Sequence, residues 1–387
     1  MRRVVPVAVV AALLASVAHA QPGLHVRADG KVIRDGHPYR GVGVNYHDCF
    51  YRKIRNATGT SYDAGFQGLA VEGVPFARFM AFAYWPSELS LYQTNRASYL
   101  AWMDAVLASA QLRGVGLIPS LFWTHFTVPD LVGETCNQVG NPNSATIAFM
   151  REYAQTIVTR YVNNPTIWAW EFGNEWSLWV DLTGFGGTPP RPPIVPVLGT
   201  PMSRSTADDI TTDMMRTAFH EVATVIRGID PNRPILTGNS LPRTYAESIR
   251  LMQDPFELDT RADFGANLAL VNEPPFDTYG IHMYPEERGD QRFEPGHNPT
   301  YDELLDEATT DGHSVSRPLY LGEFGASDMQ HGGAMQAQQH IQDMFAAIVA
   351  NRVDLASIWV YDRKIDVGPA EMAWNITTTN SATTSSR

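Results

Sequence analysis

Polar and aromatic side chains stand at the ends of successive short apolar runs. They are Asn45, Arg78, Trp123 with His125, Asn174-Glu175, Asn239, His282 with Tyr284, Glu323 and Trp359. Two of them, Glu175 and Glu323, are carboxylic acids. Paired carboxyl groups across one cavity mouth, with an arginine, an asparagine and a tyrosine around them, suit hydrolysis of a glycosidic bond. That reaction needs one acid to protonate the departing oxygen and one carboxylate to attack or stabilise the anomeric carbon. Taken singly, each residue has a structural reading: Arg78 a buried ion pair, Glu175 a helix N-terminal charge, Trp359 ordinary core. Taken together, polar residues at successive strand ends have no packing reason to be there.

The elements that must position these residues follow from periodicity. Strand-like runs occur at 41–45 (GVGVN), 75–80 (PFARFM), 115–122 (VGLIPSLF), 166–172 (TIWAWEF), 234–238 (PILTG), 278–283 (TYGIHM), 318–322 (PLYLG) and 356–361 (ASIWVY). Helical spacing fills several gaps: Tyr99, Met103, Val106, Ala110; then Met150, Tyr153, Ile157, Tyr161; then Ile341, Phe345, Ile348. Strands alternating with helices call for parallel βαβ units. The number of strands is the one that closes a (β/α)8 TIM barrel, a single α/β domain whose strand C-termini carry the chemistry. An open doubly wound sheet is the alternative, but its glycine-rich phosphate fingerprint is missing after the first strand. Residues 24–34, with Asp29-Gly30 at their turn, predict a hairpin capping the barrel bottom. The Pro/Gly-rich stretch 184–201 reads as an insertion shaping the cleft, with helical patterning resuming at 205–227. After the last strand the eighth helix is expected to be reduced or missing, and 376–387, rich in Thr, Ser and Asn, to be a disordered tail.

Composition narrows the class. The chain has 387 residues, 44% hydrophobic and 18% charged, which excludes a disordered or fibrous protein. A formal charge of −12 argues against nucleic-acid or anionic-membrane partners, and leaves a neutral carbohydrate unopposed. Residues 1–20 read as a cleaved secretory signal: Arg2 and Arg3, an apolar run from Val4 to Val17, then Ala18-His19-Ala20. The mature domain is therefore expected over 21–375, in the periplasm or outside the cell. In that oxidising compartment Cys49 and Cys136, the only two cysteines, are expected to form a disulfide, with two buried thiols as the alternative.

The ordered set Arg78, Asn174-Glu175, His282-Met283-Tyr284, Glu323-Phe324-Gly325 and Trp359 resembles glycoside hydrolase family five, the cellulase and β-mannanase family of a retaining barrel clan. Asp35-Gly36-His37-Pro38-Tyr39-Arg40-Gly41 is similar to that family's lead-in to the first barrel strand. The resemblance spans roughly residues 24–375. It implies Glu175 as acid/base, Glu323 as nucleophile, and Asn174 as a partner of the sugar 2-hydroxyl. It also implies that Arg78 and Tyr284 hold the nucleophile, that His282 lines the site, and that Trp359 floors the sugar at the cleaved position. Physical roles agree: Arg78 favours an ionised Glu323, and the flanking Trp170, Phe172 and Trp176 offer apolar surroundings that would raise the pKa of Glu175.

Other candidates carry less. His125 does not match the family's local pattern and stands outside the catalytic set. Glu171 shares the parity of Glu175, so it is expected to face the barrel lumen at a deeper level, near Arg78 or a turn. His47-Asp48 lacks a third ligand, so no metal is called for, and no cofactor either. Trp85, Trp123, Trp176 and Trp179 are either sugar-stacking rings or barrel–helix packing. The function expected is a secreted retaining β-glycosidase acting on a mannan- or glucan-type polysaccharide. An exo-acting enzyme on short oligosaccharides and a non-catalytic carbohydrate-binding barrel are the alternatives. Oligomeric state is not readable.

Overall fold

The computed structural model describes residues 23–185, 189–252, 257–366 and 368–376. The export signal expected at 1–20, and the tail beyond residue 376, lie outside these residues.

The described residues open with three short antiparallel strands, β1 (Leu24–Val26), β2 (Val32–Arg34) and β3 (His37–Pro38). The expected hairpin is present, with Leu24 opposite Arg34 and Gly30 in its turn at φ +79°. Asp35 and Gly36 both take positive φ at the second turn, which adds β3.

Eight parallel strands follow: β4 (Gly41–Asn45), β5 (Phe76–Met80), β6 (Gly116–Phe122), β7 (Trp170–Gly173), β8 (Ile235–Leu236), β9 (Tyr279–Met283), β10 (Leu319–Phe324) and β11 (Leu355–Ile358). Their order, β8-β7-β6-β5-β4-β11-β10-β9, is that of a TIM barrel, nearly closed between β8 and β9. Across that gap the Asp277 N–H donates to Ile235 O at 3.1 Å and the Leu241 N–H to His282 O at 3.2 Å. Every strand expected from the sequence is found. The run at 166–172 pairs as a strand only from Trp170, and the helix expected from 205 begins at Thr212 after a single 3-10 turn.

The outer layer forms where sequence supplies an apolar stripe and a start signal. The helix Thr212–Ile229 turns Met215, Phe219, Val222 and Ile226 inward. Ser144 caps the helix Ala145–Tyr161, and Thr300 with Glu303 forms a capping box for Tyr301–Ser314. Among the described residues after β11 there is only the four-residue helix Pro369–Met372, the reduced eighth helix that was expected. No described helix is long and apolar enough to cross a membrane.

The lower end of the barrel is closed by apolar side chains. Leu24 and Val32 of the hairpin pack with Phe76, Ile118, Trp168, Leu236, Tyr320 and Leu355. Trp168 lies under Arg34 at 4.0 Å and edge-on to Tyr39 at 5.6 Å. Its ring fills the space beside Gly116, where a Cβ would come within 2.1 Å of it.

The expected disulfide is absent: Cys49 and Cys136 are both free and buried. Cys49 follows β4 and Cys136 follows β6, so β5 and its loop stand between them. Each thiol has its own packing, Cys49 beside Asp48 and Cys136 with its Sγ 3.9 Å from Arg204 Nη1. Burial pushes both thiols up from their ordinary values.

Candidate active site

The upper end of the barrel is built around Arg78. Its position on β5 turns it into the lumen, where it is fully buried. Nη1 donates to Glu323 Oε1 at 2.6 Å and to Asn45 Oδ1 at 3.0 Å; Nε donates to Glu171 Oε2 at 2.7 Å; Nη2 donates to Asn174 Oδ1 at 2.8 Å. One guanidinium thereby orients side chains from β4, β7 and β10, using a fixed fork that lysine lacks. Asn45 is braced in turn, donating to Gly322 O at 2.9 Å.

Glu323, near the end of β10, has both oxygens engaged. Oε1 accepts from Arg78, and Oε2 accepts from the Tyr284 hydroxyl at 2.5 Å. Burial and the carboxylates around it hold the Tyr284 phenol well above its usual range, so it stays a donor.

Glu175 stands across the mouth, just past β7, in the left-handed region at φ +51°. A glutamate held there stores of order 1–3 kcal/mol of strain, and such strain clusters at functional sites. Its Oε1 lies 3.0 Å from His282 Nδ1. Burial raises its pKa to about 7, although Arg78 pulls the other way. The side chain keeps 25% of its surface open to the cleft, so a bound ligand would bury it further.

The cause of that burial differs from expectation. Trp170, Phe172 and Trp176 do not surround Glu175. Phe172 packs on Phe219 at 4.3 Å, Trp176 donates to Phe122 O at 3.0 Å, and Trp170 donates to Asp230 Oδ2 at 2.9 Å, all in the layer between barrel and helices. Strand parity explains it: 170 and 172 point out where 171 and 173 point in. The desolvation comes from the lumen side and the cleft walls.

His282, on β9, lies between the two carboxyl groups, 3.0 Å from Glu175 and 3.6 Å from Glu323. Burial lowers its pKa to about 3, more than Glu323 can restore. The ring is neutral, so by tautomer its Nδ1 accepts from a protonated Glu175 or donates to an ionised one. Ligand atoms of Glu175, His282 and Glu323 lie within 4.8 Å of one another. This trio has the elements of a metal site, but Glu323 is already neutralised by Arg78 and its second oxygen is taken. The arrangement is an acid–carboxylate pair rather than a cation cage.

A cleft of about 610 Å³ opens over these groups, lined by Asn174, Glu175, Tyr284, Glu323, Trp359 and Trp123 among others. Trp123 and Trp359 lie nearly parallel at 6.3 Å, and His47 sits beside both, 4.6 and 5.6 Å away. Arg78, Asn174, Glu175, His282, Tyr284, Glu323 and Trp359 are therefore brought to this one place. Glu171 is where parity put it, deeper and on Arg78, with its pKa raised by burial. Asn239 is not at the cleft: it is buried and donates to Val271 O at 3.1 Å. His125 packs on Trp179 at 4.8 Å, away from the cleft. Trp85 lines the cleft, whereas Trp176 and Trp179 do not. Asp48 serves structure, accepting from Arg52 and from the N–H groups of Lys364 and Ile365. The sequence reading missed His47 as a cleft residue, and Asn45 as the brace of Arg78. For Asn45 the signal was its strand-end position, while His47 had none.

Residues 83–364 match the cellulase family, glycosyl hydrolase family 5. A mannan endo-1,4-β-mannosidase F from Aspergillus clavatus is 23% identical over 283 residues, 70% of this chain and 53% of that protein. The chain thus spans about half the length of this curated relative. Among solved structures, the endo-1,4-β-mannanase from Rhizomucor miehei superposes with a TM-score of 0.64 at 16% identity, covering 93% of this chain and 95% of that one. An exo-β-1,4-mannosidase from an Opitutaceae bacterium superposes with a TM-score of 0.57 at 17% identity, covering 89% and 56%.

Proposed function

The chain belongs to glycosyl hydrolase family 5, and from that premise we propose that it is a secreted retaining β-glycosidase that cleaves a β-linked, mannan-type polysaccharide by double displacement. The observation that carries this reading is the carboxyl pair. An oxygen of Glu175 lies within 4.8 Å of one of Glu323, near the ~5–5.5 Å of retaining enzymes and short of the ~6.5–9.5 Å that leaves room for an inverting water.

In the first step Glu323 attacks the anomeric carbon while Glu175 protonates the departing oxygen. The pKa of about 7 lets Glu175 carry that proton at neutral pH. Arg78 and the Tyr284 hydroxyl hold Glu323 in line, and neutral His282 keeps Glu175 turned toward the bond. In the second step ionised Glu175 takes a proton from water, which attacks the glycosyl ester from the side the leaving group vacated. Asn174, fixed by Arg78, presents its amide to the sugar 2-hydroxyl, and Trp359 supplies an apolar floor. Mannan is favoured over glucan by the names of the similar proteins. The pattern of residues 1–20 supports export.

A second reading, exo action, is favoured by one contact. The loop Pro196–Gly199 leans on the Pro86–Thr94 helix: a Cβ on Gly199 would lie 2.9 Å from Ser87 N, and Leu198 lines the cleft. This loop crosses from the strand of Glu175 toward that of Arg78, and so narrows one side of the cleft.

The test is a product profile on mannan, cellulose, xyloglucan and short oligosaccharides, with early-time NMR of the released anomer. Retained configuration with a ladder of manno-oligosaccharides is expected, and a single released sugar would select exo action. Inverted product would sink the mechanism.

A further inference from the structure

Beyond the catalytic groups, one cleft residue is built as though for a ligand. Arg363, on the loop after β11, lines the cleft close to Trp359. The described arginines around the cleft floor are paired: Arg78 with Glu171 and Glu323, Arg55 with Glu88, Arg52 with Asp48 and Asp362. Among the described residues, no carboxylate lies within ion-pair distance of the Arg363 guanidinium, although its charge reaches Glu371, and its buried Nε has no hydrogen bond. An unpaired buried donor of this kind is costly unless something else supplies the acceptor.

The loop that carries it is held at each residue in turn. Asp362 Oδ2 accepts from Arg52 Nη1 at 3.1 Å; the Arg363 N–H donates to Asn375 Oδ1 at 3.0 Å; the Lys364 and Ile365 N–H groups donate to Asp48 Oδ2 at 2.6 and 2.9 Å. The backbone is thus clamped while the guanidinium is left free. Its charge is felt at His47, which burial and Arg363 keep neutral, and at Tyr84. Both residues line the same cleft.

We infer that Arg363 is a specificity-determining residue, whose guanidinium donates to hydroxyls of a neutral β-linked sugar unit on the glycone side, one beyond the unit at the cleaved position. This inference rests on the proposed function. Glu175 protonates the leaving oxygen, so the leaving group lies on its side of the cleft. The glycone then extends the other way, over Trp359 toward the loop 362–365. Neutral hydroxyls fit better than an acidic sugar because Asp366 also lines this wall, and would oppose a second negative charge.

The experiment compares wild type, Arg363→Met and Arg363→Lys on two substrates of the sugar that wild type cleaves. One is a tetrasaccharide, which fills the glycone side; the other is a dinitrophenyl monoglycoside, which does not reach past the cleaved position. Losing a charged donor should cost about 10- to 100-fold in kcat/KM on the tetrasaccharide, mostly through KM. That loss should exceed the loss on the monoglycoside by about tenfold or more, and Arg363→Lys should recover part of it. Equal loss on both substrates, or none on either, overturns the inference. A second arm needs no turnover: calorimetry of oligosaccharide binding to Glu323→Gln, with and without Arg363→Met. Weakening by about tenfold supports the inference, and unchanged affinity overturns it. Wild type inert on the whole panel would sink the glycosidase reading, and the binding arm would still decide Arg363.

Discussion

The two ends of the barrel are built to opposite rules. At the lower end Leu24, Val32, Phe76, Ile118 and Trp168 exclude water and leave little to satisfy. At the upper end Arg78, Glu171, Glu323, His282 and Glu175 crowd ionisable groups into a few ångströms, with Glu171 Oε1, His282 Nε2 and His47 Nδ1 buried and unpartnered. Apolar burial contributes about 25 cal/mol per Å² whatever its geometry. Buried charge is tolerated only where geometry is met closely. The lower end therefore stabilises the fold, and the upper end draws on that stability to hold a strained, pKa-shifted site.

The largest effects should come from the carboxyl pair. With Glu323 as the proposed nucleophile, its removal leaves nothing to form the glycosyl-enzyme, so Glu323→Ala should lose about 10⁴-fold or more in kcat on every substrate. Glu175→Ala should differ in kind. A dinitrophenyl glycoside leaves as a stable anion and needs little protonation, so a burst should appear before turnover stalls. Azide should then restart turnover and give a retained glycosyl azide. Identical behaviour of the two variants would reject the role assignment, and wild-type rates in either would favour the non-catalytic reading. Both proteins should fold.

Trp168→Ala attacks the other end. Removing a ring that fills the barrel bottom should cost about 3–5 kcal/mol in denaturant unfolding. Turnover per folded molecule should stay near wild type, because no site residue touches Trp168. A large fall in kcat at unchanged stability would break the division of labour between the ends.

The smallest effect sharpens the division in energy. Glu175 is raised from 4.5 to about 7 by burial. Below pH ~4.5 both folded and unfolded chains hold its proton, and the group is neutral to stability. As pH rises to about 7 the unfolded chain releases the proton while the folded one keeps it, so stability is lost through that window and not regained. The loss is about 3 kcal/mol at pH 8. Glu175→Gln should be more stable than wild type by that amount at pH 8 and equal to it near pH 4, by urea titration. A pH-independent difference would place the pKa shift elsewhere. In wild type the same titration should cut kcat/KM above about pH 7.

Much of this was legible in the chain. Strand alternation told which residues share a face, so Glu171 and Glu175 fell on one side and Arg78 with them. The strand-end position of Glu175, Tyr284, Glu323 and Trp359, with Arg78 inside its strand, told that they share a mouth, because parallel strands of a barrel all end on one face. The same parity, applied to Trp170 and Phe172, would have sent them outward. Reading them by nearness in sequence to Glu175 gave the wrong neighbours.

What the sequence by itself determined was the repeating pattern: eight apolar runs, the helices between them, and the residue types at their ends. These are local properties of spacing. Tertiary structure decided whatever depends on segments far apart. Whether Cys49 meets Cys136 depends on the loop standing between them, and they do not meet. That Glu175 holds a proton near neutrality depends on burial by walls from other strands. That Asp48 clamps Lys364 and Ile365, and so aims Arg363, joins the first barrel loop to the last. Desolvation and hydrogen-bond geometry change over ångströms, and no spacing along the chain encodes them.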